Sequence, residues 1–172
     1  FGDEISVNKA NKFDLKVKGP FSKFLINKEN LIEKSVRKME ELYERDFKVQ
    51  VILKKNLPIA SGMAGGSSNA ATFILCLKEI FGLKLIKGFN NLLLSLGADV
   101  PFCFFRKTAL VSGIGENLTF TRKLKEYYIL LVNPQIEVST KEIFCKIVFK
   151  KDSKNKTHSN KITNSFIKKS ND

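Results

Sequence analysis

A run of small residues between two strongly patterned segments limits most severely how this chain can fold. Residues 57–72 read Leu-Pro-Ile-Ala-Ser-Gly-Met-Ala-Gly-Gly-Ser-Ser-Asn-Ala-Ala-Thr. Before this run, apolar residues alternate over 47–53, as in a half-buried strand. After it, apolar residues recur at helical spacing up to Phe81, and Gly82 ends the pattern. The order predicts a strand, a glycine-rich loop and a helix.

The loop has the chemistry of an anion site. Its three glycines permit positive φ and let the backbone approach a ligand closely. Ser67, Ser68 and Asn69 begin the helix, where N–H groups are unpaired and the helix dipole is positive. The spacing matches neither a P-loop nor a dinucleotide fingerprint. From the residues alone, a phosphate site and a flexible connector with serine caps stay equally open.

The rest of the chain mixes strands and helices without strict alternation. A capping box at Asn30 and Glu33 predicts a helix over 31–45, and a second helix is expected over 88–96. Strands are predicted over 13–17, 100–105, 109–112, 118–121 and 126–132, with a last helix after Ser139 whose apolar face is 143–148. This order favours an α+β fold, a mixed sheet with helices on one face.

Charge and cysteine content exclude several classes. The net charge is +13, but Lys and Asn are enriched together, basic residues are spread along the chain, and only four are Arg. We therefore expect no nucleic-acid partner, and no apolar run is long enough for a membrane span. Cys76, Cys103 and Cys145 are far apart and lie among apolar neighbours. They predict three buried free thiols in a reducing, cytoplasmic compartment.

Two short segments outside the loop carry weaker signals. Asp99, in Leu-Gly-Ala-Asp-Val-Pro, is either a turn residue or a carboxylate that accepts a proton at a strand start. Gly113–Glu116 predicts a tight turn, and His158 lies in a polar tail and is expected to be solvated. Residues 150–172 are too poor in apolar side chains to fold alone.

Together the loop and the Asp99 segment resemble the GHMP small-molecule kinases. The phosphate loop of that superfamily has the form Pro-x-x-x-Gly-Leu-Gly-Gly-Gly-Ser-Ser. Residues 65–72 followed by 96–102 resemble the branch that acts on a nucleotide-linked alcohol in the non-mevalonate isoprenoid pathway, and 30–32, 113–116 and 132–134 fit the same branch. The resemblance implies a GHMP N-terminal domain, with the fold of the second domain of ribosomal protein S5, over 1–149. Residues 150–172 would be a polar linker to a C-terminal domain.

The resemblance also implies ATP and Mg²⁺ as cofactors and a nucleotide-linked small molecule as phosphate acceptor. Asp99 would accept the proton of the attacking hydroxyl. Asn30 and Leu31 would lie on the adenine side, and Ser68 would help to hold Mg²⁺. The ATP phosphates would be wrapped by Pro58, Ile59, Ala60, Ser61, Gly62, Met63, Ala64, Gly65, Gly66, Ser67 and Ser68.

The chain departs from the family pattern in several places. Met63-Ala64 stands where the family has Leu-Gly, and Ala64 is tolerable there only with a negative φ. The family's catalytic Lys and substrate-binding Tyr-His would lie upstream of Phe1, and its third glycine-rich motif beyond Asp172. We therefore expect a fragment lacking both ends, with little turnover on its own.

Three alternatives stay open. The chain could belong to another kinase of the superfamily, of the homoserine or mevalonate type, or be an inactive remnant that keeps only nucleotide binding. A basic nucleic-acid binder is the third alternative, and it predicts arginine or aromatic platforms. Monomer and homodimer are both compatible with the sequence.

Overall fold

The computed structural model describes residues 2–26, 29–125, 128–132 and Cys145. The chain divides into two compact units, Phe1–Thr140 and Lys141–Asp172, and every described element lies in the first. The predicted boundary between residues 149 and 150 lies outside the described residues and stays a prediction. In chain order the elements are β1 (Glu4–Lys9), β2 (Asp14–Lys18), a 3-10 helix (Ser22–Leu25), α1 (Leu31–Tyr43), β3 (Val49–Lys54), α2 (Gly65–Phe81), α3 (Phe89–Leu96), α4 (Val100–Phe105), β4 (Ala109–Ser112) and β5 (Asn117–Phe120).

The strand with the clearest alternation lies at the centre of a three-stranded sheet. β3 pairs antiparallel with β1 on one side and parallel with β2 on the other. Its inward side chains Val49, Val51 and Leu53 are almost completely buried. Because the sheet combines both pairing types and shares one core with the helices, the predicted α+β class is confirmed.

Helices α1 and α2 supply most of the remaining core. Ile32 and Met39 of α1 and Phe73 and Leu77 of α2 are fully buried. Phe73 meets Phe13 edge-on at a centroid distance of 6.4 Å. α1 begins at the predicted capping box, and α2 ends at Gly82 in the left-handed region, as predicted.

The predicted strand over 100–105 is wrong, because these residues form helix α4. The segment is one apolar run, and such a run carries no alternation that separates a strand from a helix. Pro101 fits the first turn of a helix, where its missing N–H costs nothing. Val100, Pro101 and Phe104 are buried, a spacing that places them on one helical face.

Two further predictions concern the end of the described chain. Residues 128–132 belong to no strand, and their apolar side chains are exposed, so the predicted strand over 126–132 is wrong for its described part. A strand needs a hydrogen-bonded neighbour as well as apolar content. The predicted helix after Ser139, with its apolar face at 143–148, lies outside the described residues, as does His158.

The cysteines are free, as predicted, but less buried than predicted. Cys76 and Cys103 are half-buried and Cys145 is exposed. Burial raises the pKa of the Cys76 and Cys103 thiols, and the nearby carboxylates of Glu79 and Asp99 add to the respective rise. Over the described ranges, none of the helices has the length and apolar content needed to cross a bilayer.

Candidate functional site

The loop between β3 and α2 takes an unusual backbone path. Ala60, Gly62 and Ala64 all have positive φ, at 53°, 72° and 49°. The negative φ that the family resemblance required of Ala64 is therefore wrong. A left-handed alanine costs roughly 1 kcal/mol, so contacts elsewhere must hold the loop in this conformation.

Helix α2 begins without a local cap. Ala64 occupies the N-cap position, its side chain makes no capping bond, and the first turn contains no acidic residue. The first intrahelical bond is from Ser68 N–H to the Ala64 carbonyl, at 2.9 Å. Ser67 is half-buried and Ser68 is exposed. Backbone N–H groups and serine hydroxyls thus collect where the helix dipole is positive, as an anion site requires.

The segment that contains Asp99 lies against this helix start. A side-chain carbon added at Gly97 would stand 3.7 Å from Ser67 Oγ, so the two residues are neighbours. Asp99 itself is exposed and precedes helix α4 instead of the predicted strand. In the part of the chain that the structure describes, the Asp99 side chain makes no capping hydrogen bond to that helix. An exposed carboxylate two residues from the Ser67 neighbour is available to accept a proton from a bound molecule.

The predicted turn at Gly113–Glu116 packs on the same segment. Gly115 is buried and has φ of 112°, and an added side-chain carbon would stand 2.2 Å from the Ala98 carbonyl oxygen. Only glycine fits this approach. The three glycine-containing segments that the sequence singled out therefore meet, Ser67 beside Gly97 and Ala98 beside Gly115.

Asn30 and Leu31 differ in what they can offer a ligand. The Asn30 side chain accepts from Ile32 N–H at 3.0 Å, while its own N–H donates to the Glu33 carboxylate at 3.0 Å. Asn30 therefore acts as the cap of α1. Leu31 Cδ1 would stand 3.4 Å from a side-chain carbon added at Gly66, so it borders the start of α2. The structure brings Leu31, and less directly Asn30, to the loop.

Two charged residues at the loop, Asp3 and Lys55, were missed from the sequence, and Asn69 of the loop motif bonds to one of them. Asp3 Oδ2 accepts from Lys55 Nζ at 2.6 Å and from Asn69 Nδ2 at 2.8 Å. Asp3 Oδ1 accepts from the backbone N–H groups of Asn56 and Leu57, both at 2.8 Å. The side chains of Lys55 and Asp3 are only 6% and 2% exposed. A buried ion pair thus lies beneath the loop.

The strand pattern contained a signal for this pair. Lys55 is the next inward position after Leu53 in the alternation of β3, and Asp3 continues the inward side of β1 beyond Ile5. A charged residue at an inward position is rarely buried without a partner. Extending each alternation by one step would have predicted a buried pair between the two strands.

The hydrogen bonds of Asp3 control its protonation. Burial by itself raises the pKa of this carboxyl group. Hydrogen bonds from Lys55, the Leu57 N–H and Asn69, together with the charge of Lys55, outweigh burial and lower the pKa below its ordinary value. Asp3 is therefore ionised at neutral pH and accepts hydrogen bonds through both oxygens.

A cavity of about 220 Å³ opens next to this network. Its walls include Gly65, Ser68 and Thr72 from one face of α2, with Leu57 and Met63 from the loop. No cluster of three His, Cys, Asp or Glu residues exists in the described part of the chain. A Mg²⁺ ion at this site would therefore take at most two ligands of these types from the described residues, with hydroxyl, phosphate and water oxygens completing its coordination.

Comparison with known proteins shows what this part of the chain is similar to. The model of the GHMP kinases N terminal domain matches residues 30–107, which include the loop, α2 and Asp99. A 4-diphosphocytidyl-2-C-methyl-D-erythritol kinase of Lachnospira eligens is 35% identical over 84% of this chain and 51% of its own. The enzyme of the same name from Thermoanaerobacter pseudethanolicus is 41% identical over 70% of this chain and 42% of its own.

A solved structure shares the fold. The crystal structure of a 4-(cytidine 5'-diphospho)-2C-methyl-D-erythritol kinase aligns with a TM-score of 0.55 and 29% identity, over 69% of this chain and 41% of its own. This chain spans about half the length of the curated relatives it matches. Residues 30–107 of this chain are therefore similar to the N-terminal domain of the GHMP kinases.

Proposed function

We propose that this chain supplies the nucleotide-binding part of a kinase. The enzyme would transfer the γ-phosphate of ATP to the 2-hydroxyl of 4-diphosphocytidyl-2-C-methyl-D-erythritol, the compound in its relatives' names. The observation that carries the proposal is the uncapped start of α2, which follows a left-handed loop and lies beside Leu31 and Gly97. A polyphosphate satisfies N–H groups that the chain itself leaves without a side-chain cap.

Each residue of the site has a role in this proposal. The loop from Pro58 to Ser68 wraps the phosphates, with the hydroxyls of Ser67 and Ser68 as further donors. Leu31 offers an apolar surface for the adenine base, and Asn30 fixes the start of α1 beside it. The Ser68 hydroxyl is also a ligand for Mg²⁺, which when bound neutralises charge on the phosphates.

Asp99 would act on the acceptor. The acceptor oxygen forms a bond to the γ-phosphorus as the bond from that phosphorus to the bridging oxygen breaks, and ADP leaves. The hydroxyl proton passes to the Asp99 carboxylate. Phosphoryl transfer depends mainly on positioning and charge neutralisation, so the contribution of an aspartate base is about 10²–10⁴-fold in rate.

The free thiols fit a reducing compartment, and we propose that the protein acts in the cytoplasm.

Calorimetric titration with a non-hydrolysable ATP analogue and Mg²⁺ tests the nucleotide site. Gly66 is exposed in the first turn of α2, and a side chain there meets only Leu31 at ordinary contact distance. Gly66→Asp places a negative charge where phosphate would bind, while an acidic residue in this turn favours the helix. Gly66→Asn is the matched neutral control.

Binding by the wild type and Gly66→Asn, with loss in Gly66→Asp, would support the proposal. Equal binding by both variants would contradict a phosphate site at this helix start. Gly65 is a poorer position for this test, because a side-chain carbon there would lie 3.5 Å from Lys55 Nζ and the carboxylate of Gly65→Asp would compete with Asp3 for that lysine.

An acceptor panel tests the chemistry. ADP release would be compared with 4-diphosphocytidyl-2-C-methyl-D-erythritol, homoserine and mevalonate as acceptors, in the wild type and in Asp99→Asn. Transfer to the first compound, lost in Asp99→Asn, would support the proposed reaction. Transfer to either other acceptor would replace the substrate, and nucleotide binding without transfer to any would favour a chain that only binds.

A further inference from the structure

We propose that Asp3 is a positioning residue that fastens both ends of the glycine-rich loop and holds it ready for phosphate. The proposal rests on the nucleotide site described above and adds a residue far from it in sequence. Asp3 precedes β1, and none of the motifs that predict the loop includes it. Its two carboxylate oxygens divide their hydrogen bonds between the two sides of the loop.

Oδ1 holds the upstream side. The N–H groups of Asn56 and Leu57, where the chain leaves β3, both donate to this oxygen at 2.8 Å. Lys55 Nζ adds a bond to the Leu57 carbonyl at 3.0 Å. The backbone at Leu57 is therefore held through both its donor and its acceptor.

Oδ2 holds the downstream side. It accepts from the Asn69 amide of α2 at 2.8 Å, and from Lys55 Nζ at 2.6 Å. Asn69 is 7% exposed and lies in the second turn of the helix, directly after the serines. One carboxylate thus fixes the distance between the two ends of the segment 57–69.

The buried pair is better explained by positioning than by stability alone. Removing two charges from water costs about as much as their attraction returns, and apolar side chains of similar size often stabilise a core equally well. What apolar residues cannot do is bind two backbone N–H groups and a helix side chain at fixed distances. Directional bonds are needed where Ala60, Gly62 and Ala64 all have positive φ and α2 has no local cap.

Hydrogen exchange and nucleotide affinity of the full chain test this role. Asp3→Asn keeps the size of the side chain and removes its charge. Asn69→Ala removes only the downstream hydrogen bond, and alanine has a high helix propensity, so the change does not weaken α2 in itself. Glu4→Gln is the matched control, because Glu4 and Lys54 form an exposed pair at 3.0 Å one register step away on the same two strands, and glutamine keeps an oxygen that accepts from Asn56 Nδ2.

In Asp3→Asn we expect the amides of Asn56 and Leu57 to exchange at least about tenfold faster, and the core amide of Val51 to change less. The dissociation constant for the ATP analogue should rise by about tenfold as the competent loop becomes a minor state. Asn69→Ala should accelerate exchange of the Ser68 amide, the first intrahelical donor of α2, and leave exchange of the Asn56 amide unchanged. Glu4→Gln should leave both the exchange of the Leu57 amide and the dissociation constant unchanged.

In Asp3→Asn, an equal acceleration of amide exchange at Leu57 and Val51 would show general destabilisation of the protein and would overturn the proposal. Unchanged exchange of the Ser68 amide in Asn69→Ala would also overturn it, even if Asp3→Asn does not fold. A wild type that binds no nucleotide would refute the proposed function, while the exchange data from the unliganded chain would still decide whether Asp3 fastens the loop.

Discussion

Helices α1 and α2 begin side by side, with Leu31 against Gly66, but their N-termini are built in opposite ways. At α1, the Asn30 side chain and the Glu33 carboxylate each accept a backbone N–H at 3.0 Å. At α2, Ala64 offers no side-chain acceptor and the first turn has no acidic residue. The N-terminus of α1 is therefore capped by its own side chains, whereas the N-terminal N–H groups of α2 have no side-chain cap.

The difference shows how a chain can keep a helix start available to a ligand. A local cap occupies the N–H groups that an anion needs. α2 instead takes its support from Asp3, which bonds Asn69 in the second turn and leaves the first turn accessible. Support from elsewhere in the fold thus replaces the cap, and four predictions test this division.

The largest expected loss of stability follows from removing the charge of Asp3. Asp3→Asn should lower the free energy of unfolding by about 3 kcal/mol at neutral pH, because Lys55 is left buried without its counter-ion. The folded-state pKa of Asp3 lies below its ordinary value of 3.8, so its contribution is complete above that value and is lost as the pH falls through the folded-state pKa. Denaturant unfolding across pH measures both effects.

The difference between wild type and Asp3→Asn should therefore narrow in acid. Parallel stability curves for the two proteins down to the acid limit would mean that the charge of Asp3 is not what supports α2. Glu4→Gln serves again as the control for the general effect of removing a carboxylate from β1.

A smaller effect is expected from the local cap. Asn30→Ala should cost about 1 kcal/mol of stability, since Ile32 N–H loses its acceptor. Ser67→Ala, in the first turn of the uncapped helix, should cost less. Thermal unfolding of the two variants under one condition compares the two helix N-termini directly. Equal losses of stability would contradict the proposed difference between a capped α1 and an uncapped α2.

The left-handed position before α2 should respond in the opposite direction. Ala64→Gly should stabilise the protein by about 0.5 kcal/mol, because relief of the left-handed strain exceeds the added flexibility of the unfolded chain. Ala70→Gly, inside α2, is the control and should destabilise. A loss of stability in Ala64→Gly, measured by chemical denaturation, would show that Ala64 is not strained.

The smallest effect separates charge from hydrogen bonding at α1. Glu33→Gln keeps an acceptor for the Asn30 N–H and removes the negative charge near the helix dipole. The cost should be about 0.3 kcal/mol in low salt and should vanish in high salt. A cost that is independent of salt would assign the whole effect to hydrogen-bond geometry.

The sequence predicted most of the fold around this contrast. Alternation located β2 and β3, helical spacing located α1 to α3, and the Asn30–Glu33 pattern predicted the closed cap. The strand predictions for 100–105 and 128–132, which depended on apolar content alone, were wrong. An apolar run does not show whether another strand pairs with it. β1 was not predicted, although Ile5 and Val7 alternate there.

For the candidate site, the chemistry of the loop could be predicted from adjacent residues, whereas its support required the alternation of two separate strands to be extended and paired. The glycines and serines of the loop predict an anion site from adjacent residues. The alternation in β1 and β3 places Asp3 and Lys55 at inward positions, but their bonds to the loop cross a separation in sequence that no local pattern spans. The left-handed φ of Ala64 was also unreadable, since alanine rarely adopts it.

The fastening by Asp3 bears on protein engineering. A designer who transplants residues 55–69 between a strand and a helix of another scaffold would carry over Lys55, the glycines, the serines and Asn69, but no acceptor for the N–H groups of Asn56 and Leu57. The graft would also leave Lys55 without its counter-ion. The smallest portable unit is therefore discontinuous, and it must include the segment that carries Asp3.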